Sequence, residues 1–243
     1  MYDSRMVPAG FDEAFLSWFR GATESHWSWR KPRTFEDMAV ARTTALDFAN
    51  ATMWSPLDLE AIDALEHERG FPFPPDYRLF LCYLHATRPA MTGALFVGEG
   101  GALAPVRRPG FYDWRTDRVA MDQAHENVID GLAFDVENNR LWLASWGARP
   151  GNAPERRARI ADLVARAPKL VPIFHHRFLL VDPCRDGNPV LSIHQGDIIV
   201  YGRDLRDYLL QELRSIVGFA IEDRPPADAS SIPFWGELIA GGA

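Results

Sequence analysis

Apolar positions along the chain follow a helical period first and a strand period later. Phe11, Ala14, Phe15, Trp18 and Phe19 recur at helical spacing, so residues 11–20 are expected to form an amphipathic helix ended near Gly21. Thr34-Phe35-Glu36-Asp37 resembles a capping box and opens a second helix, expected to reach about Phe48. A third is expected to start at Ser55-Pro56, where Ser can cap an orphan N–H and Pro has no N–H to lose. It places Leu57, Leu59, Ile62 and Leu65 largely on one side, leaves Glu60, Asp63, Glu66 and Glu68 to water, and stops at Gly70. Phe71-Pro72-Phe73-Pro74-Pro75 cannot be helical before Pro75, because each proline holds the preceding residue extended. A fourth helix, Asp76 to about His85, then carries Tyr77, Leu79, Phe80, Leu81, Tyr83 and Leu84 and must be mostly buried.

Beyond this point short apolar runs alternate with turn residues. Gly93–Val97 and Ala102–Val106 read as strands around Gly98-Glu99-Gly100-Gly101, and Leu132–Val136 and Leu141–Trp146 as a hairpin around Glu137-Asn138-Asn139-Arg140. Asn152 to Ala167 is a basic amphipathic helix with Ile160, Leu163 and Val164 inward and Arg156, Arg157, Arg159 and Arg166 outward. Phe178–Val181, Pro189–His194 and Asp197–Tyr201 are three further strands. Asp204 caps a last helix that carries Leu205, Tyr208, Leu209 and Leu213 and is stopped by Gly218. Helices, then successive hairpins, then a helix is an α+β order with a largely antiparallel sheet.

Charge and composition narrow the classes. The 243 residues carry a formal charge of −7 and are 47% hydrophobic, with eight Trp, which argues for a packed core and against disorder. Residues 51–140 hold 14 acidic and 8 basic side chains, whereas residues 141–180 hold 2 and 7. An acidic face that steers a basic partner is one reading of this asymmetry, and solvated helix faces the other. No basic stripe interleaves with aromatics, so no nucleic-acid partner is expected. No run of 18 apolar residues occurs and Met1–Arg5 opens no signal peptide, so no membrane partner and a cytoplasmic location are expected. Two cysteines, Cys82 and Cys184, make no disulfide framework.

One local pattern points to a family. A helix ending Glu66-x-x-x-Gly70, a Pro-containing joint, then Pro74-x-Asp76-Tyr77-Arg78-x-Phe80-Leu81 is similar to the opening of the SUKH superfamily, which includes fungal Smi/Knr-type regulators of cell-wall synthesis and many bacterial immunity proteins. Leu57, Ile62 and Leu65 match as well. Trp146-Gly147-x-Arg149-Pro150, Leu170-Val171-Pro172-Ile173, Gly187-Asn188-Pro189-Val190 and the helix Leu205–Leu213 follow in the order of the longer bacterial members. Leu84-His85-Ala86-Thr87 stands where many members carry Asn-Gly. The resemblance spans roughly Ser55 to Leu213. It implies a twisted, largely antiparallel sheet with helices packed on one side, divided as an N-terminal helical extension over residues 1–50, a SUKH-like domain over 51–218 and a tail over 219–243. It implies a non-enzymatic binding module with no catalytic residues, no cofactor and no metal, whose partner is a cognate toxin domain. A scaffold for endogenous partners is the alternative.

The candidate contact residues are Tyr112, Asp113, Trp114 and Asp117, which follow Pro109-Gly110 and include the residue types that anchor interfaces, with Glu60 and Asp63 on the acidic helix. The enzyme-like alternative is a metal-dependent hydrolase built on His175 or His176, Asp182 and His194. His175 and His176 are adjacent, so a strand would turn them to opposite faces. No His-x-Glu, His-Glu-x-x-His or Cys-x-x-Cys spacing supports such a site, and no Gly-x-Ser-x-Gly elbow supports a nucleophilic one. Asp135 and Glu137 would share a strand face and could pair as carboxylates.

Overall fold

The computed structural model describes residues 7–29, 31, 33–41, 45–97, 102–218 and 229–241. In chain order the elements are α1 (Glu13–Trp29), α2 (Phe35–Ala41), β1 (Ala45–Asp47), β2 (Met53–Trp54), α3 (Leu59–Arg69), α4 (Pro75–Tyr83), β3 (Thr87–Arg88), β4 (Met91–Val97) and β5 (Ala102–Arg108). There follow α5 (Arg118–Asn138), a 3₁₀ turn (Ala144–Trp146), α6 (Ala153–Arg166), β6 (Leu170–Phe174), β7 (Arg177–Leu180), β8 (Val190–His194), β9 (Asp197–Gly202), α7 (Leu205–Glu212), α8 (Arg214–Val217) and α9 (Trp235–Gly241). The fold is α+β. Among the described residues all strand pairs are antiparallel, in three sheets ordered β1-β4-β5, β2-β3 and β6-β7-β8-β9. No helix among the described residues is long and apolar enough to cross a membrane.

The chain divides into two compact units. The first holds residues 1–72, 77–117 and 212–220; the second holds 73–76, 118–211 and 221–243. In the first, α1 is part of the core. Phe15, Phe19 and Trp27 are fully buried, and Trp27 meets Phe48 at 4.8 Å and Trp54 at 5.8 Å between ring centres. Trp54 also meets Phe111 at 4.7 Å. The helix runs through Gly21 because its apolar stripe continues to Thr23 and Trp27, with Thr23 Oγ1 donating back to the Phe19 carbonyl. Trp29, by contrast, is 70% exposed. The box at Thr34 forms: Asp37 N–H donates to Thr34 Oγ1 and Thr34 N–H to Asp37 Oδ2. Its helix ends at Ala41, since the residues ahead of Phe48 become β1 and pair with β4. Ser55 does not cap α3, since its Oγ accepts from Arg115 Nη2; Asp58 caps α3 instead, accepting from Ala61 N–H at 2.8 Å. Gly70 ends α3 in the left-handed region, as expected, at φ 72°.

In the second unit α5 replaces an expected hairpin. Met121, Ala124, Val128, Leu132 and Val136 continue one helical stripe through the segment read as a strand. The Asn-Asn-Arg segment is a helix stop: Asn139 and Leu141 N–H both donate to Asp135 O, and Arg140 takes φ 60°. Asp135 and Glu137 therefore share no strand face. Asp135 is buried, accepting from Gly196 N–H and Asn139 Nδ2, while Glu137 pairs with Arg156. Asn152 caps α6 as its position implies. Strands β7, β8 and β9 fall where the alternation put them, and β6 adds a fourth whose five residues are all buried. The C-terminal segment returns to this unit: α9 packs on β9, and Trp235 Nε1 donates to Pro168 O at 2.9 Å. The Gly98–Gly101 turn expected between β4 and β5 lies outside the described residues, although the strands on either side pair in register from Met91 with Arg108 to Val97 with Ala102.

The basic helix does not simply solvate. Arg156 meets Glu137 at 2.6 Å, and Arg157 meets Glu126 at 2.9 Å and Asp130 at 2.8 Å. Those carboxylates all lie on α5. Much of the +5 of residues 141–180 is thus answered by the acidic segment before it, and Asp63 and Glu66 are answered by Arg78.

Candidate functional site: the Phe111–Asp117 corner

The corner after β5 is assembled around one carboxylate. Asp113 is 2% exposed. Its Oδ2 accepts from Arg88 Nε at 2.9 Å and Nη2 at 2.5 Å, and its Oδ1 accepts from Arg115 Nε and backbone N–H, both at 2.9 Å. Burial alone would push this carboxyl up. The hydrogen bonds from Arg115 and Arg88 outweigh it and hold the group well below the usual carboxylate range, so it is ionised. Arg88 reaches on to Thr116 Oγ1, and Arg115 to Ser55 Oγ, at 2.8 and 2.5 Å. The two guanidiniums remain 52% and 44% exposed.

The corner is closed from below by neutral groups. His85, 1% exposed, has Nδ1 at 2.8 Å from Ser55 O and Nε2 at 3.0 Å from Trp114 N. A carbonyl can only accept and a backbone N–H can only donate, which assigns the proton to Nδ1. Burial lowers this histidine to about 4, against the raising effect of Ser55 O and Asp113, so the neutral tautomer is the native one. Trp114, 4% exposed, donates from Nε1 to Tyr77 Oη at 2.8 Å, and Arg69 lies 4.8 Å over its ring. Asp117 Oδ2 accepts from Asp113 N–H at 2.8 Å.

Of the expected contact residues, Asp113 and Trp114 are therefore interior. Sequence pattern could not separate an interface aromatic from a core one here, since Trp114 satisfies its N–H internally. Tyr112 and Asp117 are half-buried beside them, whereas Glu60 and Asp63 are exposed on α3. What the corner shows to solvent is arginine. A cavity of about 160 Å³ opens between Arg88, Arg107, Arg108, Asp113 and Asp117. Arg115 lies within the Phe111–Asp117 segment singled out from sequence, whereas Arg88 and His85 were given no part in it. The one available signal was the run Asp113-Trp114-Arg115, in which a carboxylate and an arginine two residues apart can close on each other.

The hydrolase set does not assemble. His175 and His176 form the turn between β6 and β7, His175 with φ 48°, so they are not alternating strand residues. His176 faces His194 with ring centres 6.2 Å apart. Asp182 follows the other end of β7, because pairing of Arg177 with Ser192 and Leu179 with Val190 runs the strand away from the histidines. Among the described residues, no group of three or more His, Cys, Asp or Glu is gathered so as to hold a metal ion.

No family model, no curated protein and no solved structure matches this chain.

Proposed function

We propose that this protein is a non-enzymatic protein-binding module of the SUKH type, acting in the cytoplasm as an immunity protein that binds and neutralises a cognate toxin domain. The toxin role comes from the motif resemblance alone. The binding role is supported by one observation: a buried, ionised Asp113 holds two half-exposed arginines in fixed orientation. Arginine is a frequent anchor of protein interfaces, and fixing it before encounter removes part of the ordering cost of association. Arg107 and Arg108 add charge of the same sign beside the pair. The complementary patch on the partner is acidic at this point, the reverse of what the acidic balance of residues 51–140 alone implies.

The test is co-expression with each toxin domain encoded beside this gene. The wild-type chain restores growth, and the Arg88→Ala/Arg115→Ala double variant loses rescue while keeping its fold by circular dichroism. Absence of rescue with every neighbouring toxin removes the immunity reading; undiminished rescue by the double variant removes the corner as the contact.

A further inference from the structure

The second unit holds a larger cavity, of about 410 Å³, that neither the fold nor the proposed corner uses. Three segments converge on it: the loop after β7, the turn after β9, and residues 231–233 ahead of α9. Each is fixed from within. Asn188, with no exposed surface, donates from Nδ2 to Pro183 O at 2.7 Å and accepts Arg185 Nε at 3.3 Å. Gly187 N–H donates to the buried Asp76 carboxylate and Asp76 N–H to Asp186 Oδ1, both at 2.8 Å. Arg203 N–H donates to Asp207 Oδ2 at 3.1 Å, and the Trp235–Pro168 bond ties down the third segment. The space is therefore preformed rather than a gap between loose loops, and its size falls in the range of small-molecule sites.

Its lining separates by chemistry. Leu180 and Ile232 are buried and Val200 half-buried, giving an apolar wall, while Arg185, Arg203 and Asp182 are exposed. Arg185 is oriented by Asn188, a buried amide with its other end bonded to the loop backbone. Two guanidiniums against one carboxylate favour an anion, and an apolar wall favours a body that leaves water. We infer that this cavity binds a small organic anion, a carboxylate or phosphate carried on an apolar body. Asp182 adds a preference for a ligand that also bears an ammonium group.

The full-length chain is titrated by calorimetry with 3-phenylpropanoate, phenyl phosphate, L-phenylalanine, acetate and 3-phenylpropanamide. At least one of the two aromatic anions saturates a single site, and the one that binds more tightly names the anion. Acetate and the neutral amide bind about ten-fold more weakly or not at all, as expected when either the wall or the charge is unused. Arg185→Ala and Arg203→Ala each weaken the aromatic anion by about ten-fold, the effect of one charge-assisted hydrogen bond, and Arg185→Ala also lowers the thermal midpoint because it leaves the buried Asn188 Oδ1 without its donor. Asp182→Asn weakens L-phenylalanine selectively. No saturable binding of either aromatic anion below about 10 mM overturns the inference. Equal affinity for the neutral amide, or for the arginine variants, overturns it too.

Discussion

Nε2 of His85 accepts the backbone N–H of Trp114 at 3.0 Å, a bond that exists only while that nitrogen carries no proton. The same ring donates from Nδ1 to Ser55 O, so one imidazole joins the start of the α3 approach to the arginine corner.

Acid should therefore begin to loosen this unit before it reaches Asp113. Burial lowers His85 from 6.5 to about 4, so between those values the unfolded chain takes up a proton that the native one refuses. The stability contribution is complete above pH 6.5 and is lost as pH falls towards 4, by about 3 kcal/mol at most. Urea denaturation at pH 7.5, 6, 5 and 4 checks this. A His85→Gln variant is less stable at pH 7.5 and shows a flatter dependence over that range; an unchanged slope contradicts the assignment.

Asp113 titrates on a lower window. Its depressed carboxyl adds stability that is present above the unfolded value of 3.8 and fades only below it. Asp113→Asn keeps the shape but weakens the bonds to both arginines, and is expected to cost about 2 kcal/mol. Arg88→Ala or Arg115→Ala alone should cost less than about 1 kcal/mol, because each guanidinium is half in water. Equal losses for all three variants would mean that the carboxylate is not the hub.

Tyr77→Phe removes the acceptor of Trp114 Nε1 inside a site where Tyr77 is 1% exposed. The expected loss is about 1–3 kcal/mol in chemical denaturation. Trp114→Leu should lose more, since it also removes the ring beneath Arg69 and leaves a void.

The α5–α6 charge ladder predicts the opposite outcome. Arg157→Ala should shift the thermal midpoint by no more than about 3 °C, and 0.5 M salt should narrow even that difference, because its pairs with Glu126 and Asp130 are half in water. Arg156→Ala should cost more, since the Arg156 side chain is only 15% exposed.

Local chemistry was legible where a residue acts on its own backbone. Thr34, Asn152, Gly70 and Gly218 cap or stop helices as their types dictate, and the alternation of Val190–His194 and Asp197–Gly202 shows directly. The failures come from competition between signals. Leu132–Val136 satisfies a strand period and a helix period at once, and only the stripe reaching back to Met121 decides between them. Asn138-Asn139 looks like a hairpin turn because the left-handed step needed to leave a helix uses much the same residues. At the corner, Asp113 and Trp114 looked like surface anchors because nothing local announces that Arg88, 25 residues away, and Tyr77, 37 residues away, will take up their polar atoms.

The order of the sheets has a kinetic consequence. β6, β7, β8 and β9 pair strictly with their neighbours in sequence, the outer two connections being two-residue turns and the middle one residues 181–189, so this sheet can zip from either turn with little loop-closure entropy. In the first unit β1 must find β4, with Asp47 opposite Thr92, and that search spans α3 and α4. Refolding from denaturant should therefore protect the amides of Val190–His194 before those of Ala45–Asp47, and a chain halted midway would carry a finished meander beside an N-terminal sheet still lacking its first strand.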